Sequence, residues 1–128
     1  MPHYGSKSRR VLECLDDDLQ ALLNEVIKYI DISLIEGYRS VDRQAELLNL
    51  GKTKTLKCMH LSGEAVDLAP YMDGIDWINR ENFIYTAGAV KGIAFQMGIP
   101  LRWGGDWNQN MDLSDNDFDD LVHFELDF

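Results

Sequence analysis

The sequence is poor in cysteine. Its two cysteines, Cys14 and Cys58, are too few and too far apart to build a structural zinc site from cysteine pairs. They could form one disulfide, but a chain without a secretory signal is expected to stay in a reducing compartment. We therefore expect two free or buried thiols.

Long apolar runs are also absent. No stretch approaches the roughly 20 apolar residues that cross a bilayer, so we expect no direct membrane anchoring. The N-terminus carries basic residues, but the apolar positions 11, 12 and 15 behind them are interrupted by Glu13 and Cys14. This pattern does not match a signal peptide, and we expect synthesis in the cytoplasm without one.

Positive charge is missing from the end of the chain. From Trp103 to Phe128 there is no Lys or Arg, but seven Asp and one Glu, so this segment carries −8 of the net −10. Nucleic acid and anionic membranes are bound through Lys and Arg clusters, and neither is expected as a partner. The acidic end is either a solvated surface or a region that holds cations.

Within this acidic end, Asp115, Asp117 and Asp119 alternate as in a calcium-binding loop. No Gly follows at the next place and no Glu closes the loop, so an EF-hand is rejected. A looser calcium site is left open.

Composition and length indicate one ordinary domain. Hydrophobic residues make up 45% and charged residues 27% of 128 residues, which fits a single soluble domain. We expect one domain over 1–128, a flexible N-terminal segment over 1–10, and a monomer.

Apolar periodicity predicts an α+β fold with a small, mostly antiparallel sheet and helices packed on it. The expected helices cover 16–30, about 40–50 and, from Asn79 or Asn82, a segment ending near Met97. The expected strands cover 31–36, 65–69, 101–103 and 121–126, with a polar loop over 106–120.

Two histidines and one aspartate form a candidate metal set. His60, Asp67 and His123 are the residue types of one catalytic zinc site, which leaves a fourth position for water. Gly63 lets the chain fold back between the first two. Asp67 stands between apolar neighbours, where a carboxylate is costly unless paired or metal-bound. From the spacing alone, the competing interpretation is that His60 is a surface residue or a hydrogen-bonded residue without a metal.

Asp120 and Glu125 flank His123. In a strand, His123 and Glu125 point to the same face. Asp120 lies three residues upstream, where a carboxylate could take a proton from metal-bound water. The alternative is that Asp120 belongs only to the acidic loop.

Four segments, taken in order, resemble the motifs of the zinc D-Ala-D-Ala carboxypeptidase and L-alanyl-D-glutamate endopeptidase family, in its phage endolysin form. The resemblance runs from about Val11 to the C-terminus. The segments are Glu36-Gly-Tyr-Arg-Ser40 with Arg43-Gln44, Cys58-x-His60-x-x-Gly63-x-Ala65-x-Asp67, Trp103-Gly-Gly-Asp-Trp107, and Asp120-x-x-His123-x-Glu125.

The resemblance implies the fold of the zinc D-Ala-D-Ala peptidases, shared with the Hedgehog signalling domain. It implies zinc held by His60, Asp67 and His123, with Asp120 as catalytic acid and base. Arg39 matches the family arginine that stabilises negative charge on the scissile carbonyl, as a fixed guanidinium can. A structural salt bridge is the alternative for Arg39.

Other residues receive weaker assignments. Cys58 replaces the family serine, and a thiol is a weaker donor, which affects the expected substrate contact more than zinc. Cys58 is not expected to be a nucleophile, since no further histidine stands beside it. Trp103 is expected in the core, Asp106 and Trp107 in the cleft, and Glu125 as a residue that orients a ligand or the bound water.

The function implied is that of a zinc-dependent peptidoglycan peptidase, an endolysin that hydrolyses an amide bond of the stem peptide. The L-alanyl–D-glutamate bond is the first choice. The endolysin would reach the cell wall after release by a holin-type route. One alternative is a D-Ala-D-Ala carboxypeptidase on the same site. More distant alternatives are a non-catalytic zinc-containing binding module and an acidic phage accessory protein without metal.

Overall fold

A computed structural model describes residues 3–37, 63–107, 109–112, 114 and 120–127. Arg39, Cys58, His60, the helix expected at about 40–50 and the aspartates at 115, 117 and 119 lie outside these residues. The described elements are α1 (Ser6–Glu13), α2 (Asp17–Val26), β1 (Ile32–Glu36), β2 (Ala65–Pro70), α3 (Arg80–Gln96), β3 (Leu101–Gly104) and β4 (Asp120–Leu126).

The four strands form one sheet in the order β1-β2-β4-β3, and every neighbouring pair is antiparallel. The predicted α+β class and antiparallel sheet are therefore confirmed. Strands β2 and β4, which carry most of the candidate site residues, are the two central strands. No helix in the described part of the chain is long and apolar enough to cross a membrane.

Helix boundaries follow from caps and glycines. The Asp16 side chain accepts a hydrogen bond from the Asp18 backbone N–H at 2.9 Å, and Asn79 caps α3 in the same way at 3.2 Å. Helix α3 ends before Gly98, whose φ of +72° favours glycine. Helix α2 stops at Val26, four residues earlier than expected, and 27–30 form turns.

The N-terminal segment forms a helix from Ser6 onward, within the range 1–10 for which a flexible extension was expected. Helix α1 begins at Ser6, and Tyr4 and Ser8 are buried. The Tyr4 hydroxyl donates to the Leu23 carbonyl at 2.7 Å, and Ser8 Oγ accepts from the Leu34 backbone N–H at 3.0 Å. These contacts attach the segment to α2 and β1.

The hydrophobic core joins the helices to one face of the sheet. Val66 and Leu68 of β2 and Phe124 and Leu126 of β4 are almost completely buried in it. Because side chains alternate along a strand, the residues between them point to the opposite face. That opposite face carries the polar side chains of the candidate site.

Candidate metal centre

Strand register places Asp67 directly opposite His123. The two residues are Cα partners in the β2–β4 pair, and Glu36 is the partner of Asp67 in the β1–β2 pair. A β-bulge between Leu34 and Glu36 shifts β1 so that Glu36 takes this position. Directly paired residues share a sheet face, so the side chains at 36, 67 and 123 form one row across three strands.

Asp67, Asp120 and His123 converge on one point. Each offers one metal-binding atom, and these atoms all lie within 4.8 Å of one another. His123 Nδ1 is 3.3 Å from Asp67 Oδ1, and the His123 side chain is 7% exposed. The structure therefore brings together three of the four predicted zinc and acid–base residues. The fourth, His60, lies outside the described part of the chain.

Glu125 contacts the other nitrogen of His123. Its Oε1 is 2.9 Å from Nε2, and its side chain is 15% exposed. A neutral imidazole has one N–H. If Nε2 donates it to Glu125, the Nδ1 lone pair faces Asp67 and Asp120. Metal-binding histidines commonly have a carboxylate at the second nitrogen in this way.

The charge state of His123 reflects these neighbours. Burial lowers its pKa, but hydrogen bonds with Asp67 and Glu125 and the negative charges of Asp67 and Asp120 outweigh burial and raise the pKa to about 9. Without a metal, the ring is therefore a cation at neutral pH. A divalent cation would replace that proton as the positive charge among three carboxylates.

Asp120 reaches the cluster because a glycine stands opposite it. Asp120 begins β4 and pairs with Gly104, at a register shift between Trp103 and Gly104. A Cβ on Gly104 would collide with the backbone carbonyl of Asp120. The close approach of β3 and β4 at this point therefore requires glycine.

Trp103 is a core residue, as expected. Its ring is stacked with Phe124 at 6.4 Å, and its indole N–H donates to the Leu121 carbonyl at 2.9 Å. Gly105 lies against the same ring, so that a Cβ there would collide with it. Both glycines of the Trp-Gly-Gly-Asp-Trp segment are thus explained by close packing.

The turn after β3 brings Trp107 to the metal cluster. The Asp106 backbone N–H donates to the Trp103 carbonyl at 3.0 Å, and Asp106 Oδ2 accepts from the Met111 backbone N–H at 2.9 Å. The Trp107 ring then lies 5.3 Å from the His123 ring, at 39°. Trp107 is therefore a wall of the site, whereas one carboxylate oxygen of Asp106 holds the loop.

A polar network attaches this loop to the rest of the domain. Gln109 Nε2 donates to Asp127 Oδ2 at 2.8 Å, and Lys91 Nζ lies 3.3 Å from Gln109 Oε1. Asp127 also forms an ion pair with Arg102 at 3.1 Å. Residues of α3, β3 and the end of β4 thereby hold the loop that positions Trp107. Sequence patterns carried no signal for this network.

The donor set fits zinc. Asp67 and His123 supply an oxygen and a nitrogen ligand of the kind that zinc takes in catalytic sites, and the Asp120 carboxylate lies beside them. Calcium prefers six to eight oxygen ligands, which a site containing His123 does not resemble. The aspartates at 115, 117 and 119, which are the candidates for a calcium site, lie outside the described residues.

Comparisons with known proteins agree with this geometry. The family model of the phage L-alanyl-D-glutamate peptidase matches residues 2–127. The L-alanyl-D-glutamate peptidase of Escherichia phage T5 is 30% identical over 118 residues, covering 88% of this chain and 86% of that protein. The peptidase of the same name from Listeria phage A118 is 25% identical over 116 residues, covering 86% of this chain and 40% of that protein.

Solved structures show the same fold. The Serratia marcescens L-Ala D-Glu endopeptidase ChiX has a TM-score of 0.80 and 29% identity, covering 99% of this chain and 92% of that one. The vancomycin-resistance D,D-dipeptidase VanXYg, solved with a D-Ala-D-Ala phosphinate analogue, has a TM-score of 0.52 and 20% identity, covering 86% and 47%. The second likeness concerns the fold alone.

Proposed function

Since this chain belongs to the phage L-alanyl-D-glutamate peptidase family, we propose that it is a zinc-dependent endolysin that hydrolyses the L-alanyl–D-glutamate bond of the peptidoglycan stem peptide. The chain is a peptidase by its family. The zinc, the bond and the residue roles are the proposal. The observation that carries them is the convergence of Asp67, Asp120 and His123 within 4.8 Å on one sheet face.

We propose that His60, Asp67 and His123 hold the zinc. The last two are described, lie opposite each other in the sheet, and provide a carboxylate and an imidazole. When bound, zinc would polarise the scissile carbonyl and acidify a water molecule. Metal analysis of the purified chain tests this assignment: about one zinc per chain is expected, and its loss in Asp67→Ala.

Asp120 is proposed as the acid and base. Its carboxylate lies beside the two described ligands rather than out in the acidic loop. From there it can accept a proton from the attacking water and later donate it to the leaving amine. The Asp120 carboxylate lies near two others, those of Asp67 and of Glu125 on the far side of the His123 ring. This concentration of negative charge favours the binding of a cation nearby.

Glu125 and Trp107 are proposed to position His123. Glu125 fixes which nitrogen carries the proton, by its 2.9 Å contact with Nε2. Trp107 packs against the ring and restricts its rotation. Neither residue needs to touch the substrate to influence the rate.

Arg39 and Cys58 remain proposals on the motif resemblance. Arg39 would stabilise the developing oxyanion. Cys58, in place of the family serine, would contact the substrate or the loop as a weaker donor. Asp106 remains a proposal for the cleft, and its Oδ2 also holds the loop by the Met111 backbone N–H.

The bond cleaved separates this proposal from a D-Ala-D-Ala carboxypeptidase. The curated relatives and ChiX are all named for the L-Ala–D-Glu bond, whereas the D,D-dipeptidase likeness is one of fold alone. Digestion of purified peptidoglycan is expected to create D-glutamate amino termini. Free D-alanine without such termini would identify the carboxypeptidase instead.

The partner is therefore proposed to be the stem peptide of bacterial peptidoglycan, reached after release from the host cytoplasm by a holin-type route. A monomer is proposed as well. The alternatives of a non-catalytic binding module and of an accessory protein lose their support, because the relatives are peptidases.

A further inference from the structure

The segment that joins β2 to α3, with the first turns of α3, exposes a group of large apolar side chains. Tyr71, Met72, Trp77, Ile78 and Tyr85 are between 42% and 92% exposed. We call these five residues the aromatic patch. Single exposed apolar residues are ordinary, but a group of them on a soluble domain indicates a binding surface.

The patch contains a recess with polar groups at its edge. Tyr71, Met72 and Tyr85 line a recess of about 170 Å³, together with Asp31 and Asn82. This volume is below the roughly 300–1,000 Å³ of pockets that bury drug-sized molecules. The recess therefore admits one ring-sized group.

Asn82 is available to a ligand in this recess. Its Nδ2 contacts the Met72 sulfur at 3.8 Å, and a thioether is only a weak acceptor. The amide can exchange this contact for a stronger acceptor at little cost. Aromatic faces beside a carboxamide and a carboxylate suit a sugar ring, which has an apolar C–H face and polar edges.

The negative charge around the patch disfavours anionic ligands. Asp31, Asp73, Asp76 and Glu81 lie in or beside this segment, against one cation, Arg80. Anionic lipids and anionic wall polymers would be repelled by this surface. The glycan strand of peptidoglycan presents uncharged hydroxyl and N-acetyl groups, and it meets no such repulsion.

The recess adjoins the strand that carries Asp67, because Pro70 of β2 is part of its lining. Pro70, the last residue of β2, is three residues from Asp67, which corresponds to roughly 10 Å along a strand. In peptidoglycan, the alanine of the L-Ala–D-Glu bond is joined directly to the lactyl group of a sugar. An extended residue spans at most about 3.6 Å, so cleavage at this bond brings the glycan near the centre.

Resting on the function proposed above, we propose that the aromatic patch binds the glycan strand of peptidoglycan, with one sugar ring against Tyr71 and Tyr85, while the stem peptide enters the metal centre. The surface then supplies the affinity for the cell wall that the acidic chain does not obtain from charge. A substrate without sugar gains nothing from this contact.

Two substrates and a matched control test the proposal. Tyr85→Ala is compared with Phe95→Ala, which removes another exposed aromatic ring from α3 outside the patch. The substrates are intact peptidoglycan and a synthetic stem peptide without sugar. Tyr85→Ala is expected to lower kcat/KM on peptidoglycan by about three- to tenfold, through KM, the size expected for one lost stacking contact. Neither variant should change cleavage of the free peptide.

An equal loss on both substrates, or no loss on peptidoglycan, would overturn the proposal. Direct binding gives a second readout: uncharged N-acetylglucosamine oligosaccharides, which present the same hydroxyl and N-acetyl groups as the glycan strand, are titrated into the Asp120→Ala protein and followed by backbone NMR. Shifts in 71–86 that Tyr85→Ala abolishes support the proposal. No shifts with glycan, binding to lipid vesicles instead, or self-association through the patch contradict it.

These experiments separate the two proposals. If the wild-type chain cleaves neither substrate, the proposed function fails, and the NMR titration still reports on the patch. If the wild-type chain cleaves both substrates and glycan binding is absent, only the patch proposal fails.

Discussion

Asp67 and His123 face each other across the two central strands, with 3.3 Å between Oδ1 and Nδ1. The sheet register itself sets this distance, so both side chains are held by backbone pairing rather than by a loop. A site held by strands keeps its geometry better than one held by loops.

Asp120→Ala should abolish lysis while the chain keeps its fold and its zinc. The substitution removes the proposed acid and base and leaves the ligands Asp67 and His123 in place. A loss of at least about 100-fold in kcat is expected, because general acid–base catalysis contributes roughly 10²–10⁴-fold. Turbidity of peptidoglycan suspensions and metal analysis measure the two properties. Loss of zinc in this variant would instead make Asp120 a ligand.

Glu125→Ala should weaken zinc binding by about 10- to 100-fold, the usual effect of removing a carboxylate behind a histidine ligand. Glu125→Gln keeps an oxygen that can accept a hydrogen bond from Nε2, so its zinc affinity should fall much less. Competition with a chromogenic chelator measures the affinities. Equal affinity in Glu125→Ala and the wild type would mean that the 2.9 Å contact does not orient His123.

Trp107→Ala should lower kcat by about two- to tenfold, since a ring contact of this kind is worth roughly 0.5–1.5 kcal/mol. Trp107→Phe keeps an aromatic ring against His123 and should retain most of the rate. Substitution of cobalt for zinc gives a visible spectrum that reports ligand geometry, and only Trp107→Ala should alter it. An unchanged spectrum with reduced rate would assign Trp107 to substrate contact.

Metal binding should release a proton from His123. Its pKa in the metal-free protein is raised to about 9, so the ring is charged at pH 7 and a metal must displace the proton. Zinc affinity should rise by about tenfold per pH unit well below this pKa and level off as the pH reaches about 9. Calorimetry in buffers of different ionisation enthalpy measures the release. His3→Ala, at an exposed histidine, should behave as the wild type.

The raised pKa of His123 also predicts how the stability of the metal-free protein depends on pH. A histidine whose pKa is higher in the folded than in the unfolded state stabilises the fold. This stabilisation is complete below the unfolded pKa of about 6.5. That contribution is lost as the pH rises through about 9. Thermal unfolding of the metal-free chain between pH 6 and 10 should show this loss. The zinc-bound chain should not show it, because its His123 is neutral throughout.

Much of the fold could be predicted, because strand alternation and helical spacing are local patterns. Alternation in β4 placed His123 and Glu125 on one face, and the structure confirms their contact. The helical spacing through Ile27 and Ile30 led to an α2 that was four residues too long. Both side chains do pack on or against the core, but from turns rather than from a helix.

What could not be predicted depends on pairings between distant segments. Strand β4 begins at Asp120, not Leu121, because Asp120 pairs with Gly104 of β3. The contact of Trp107 with His123 depends on the turn held by Asp106, which has no periodic signal. Helix α1 was missed because a single tyrosine and a buried serine hold it among basic residues.

The central claim is that the Asp67, Asp120 and His123 cluster performs zinc-dependent hydrolysis of the L-Ala–D-Glu bond. The most direct measurement is mass spectrometry of peptidoglycan treated with metal-stripped protein, before and after one equivalent of zinc. New D-glutamate amino termini should appear only after zinc is added, and never with Asp67→Ala. Termini that form equally well without metal, or free D-alanine as the sole product, would contradict the account.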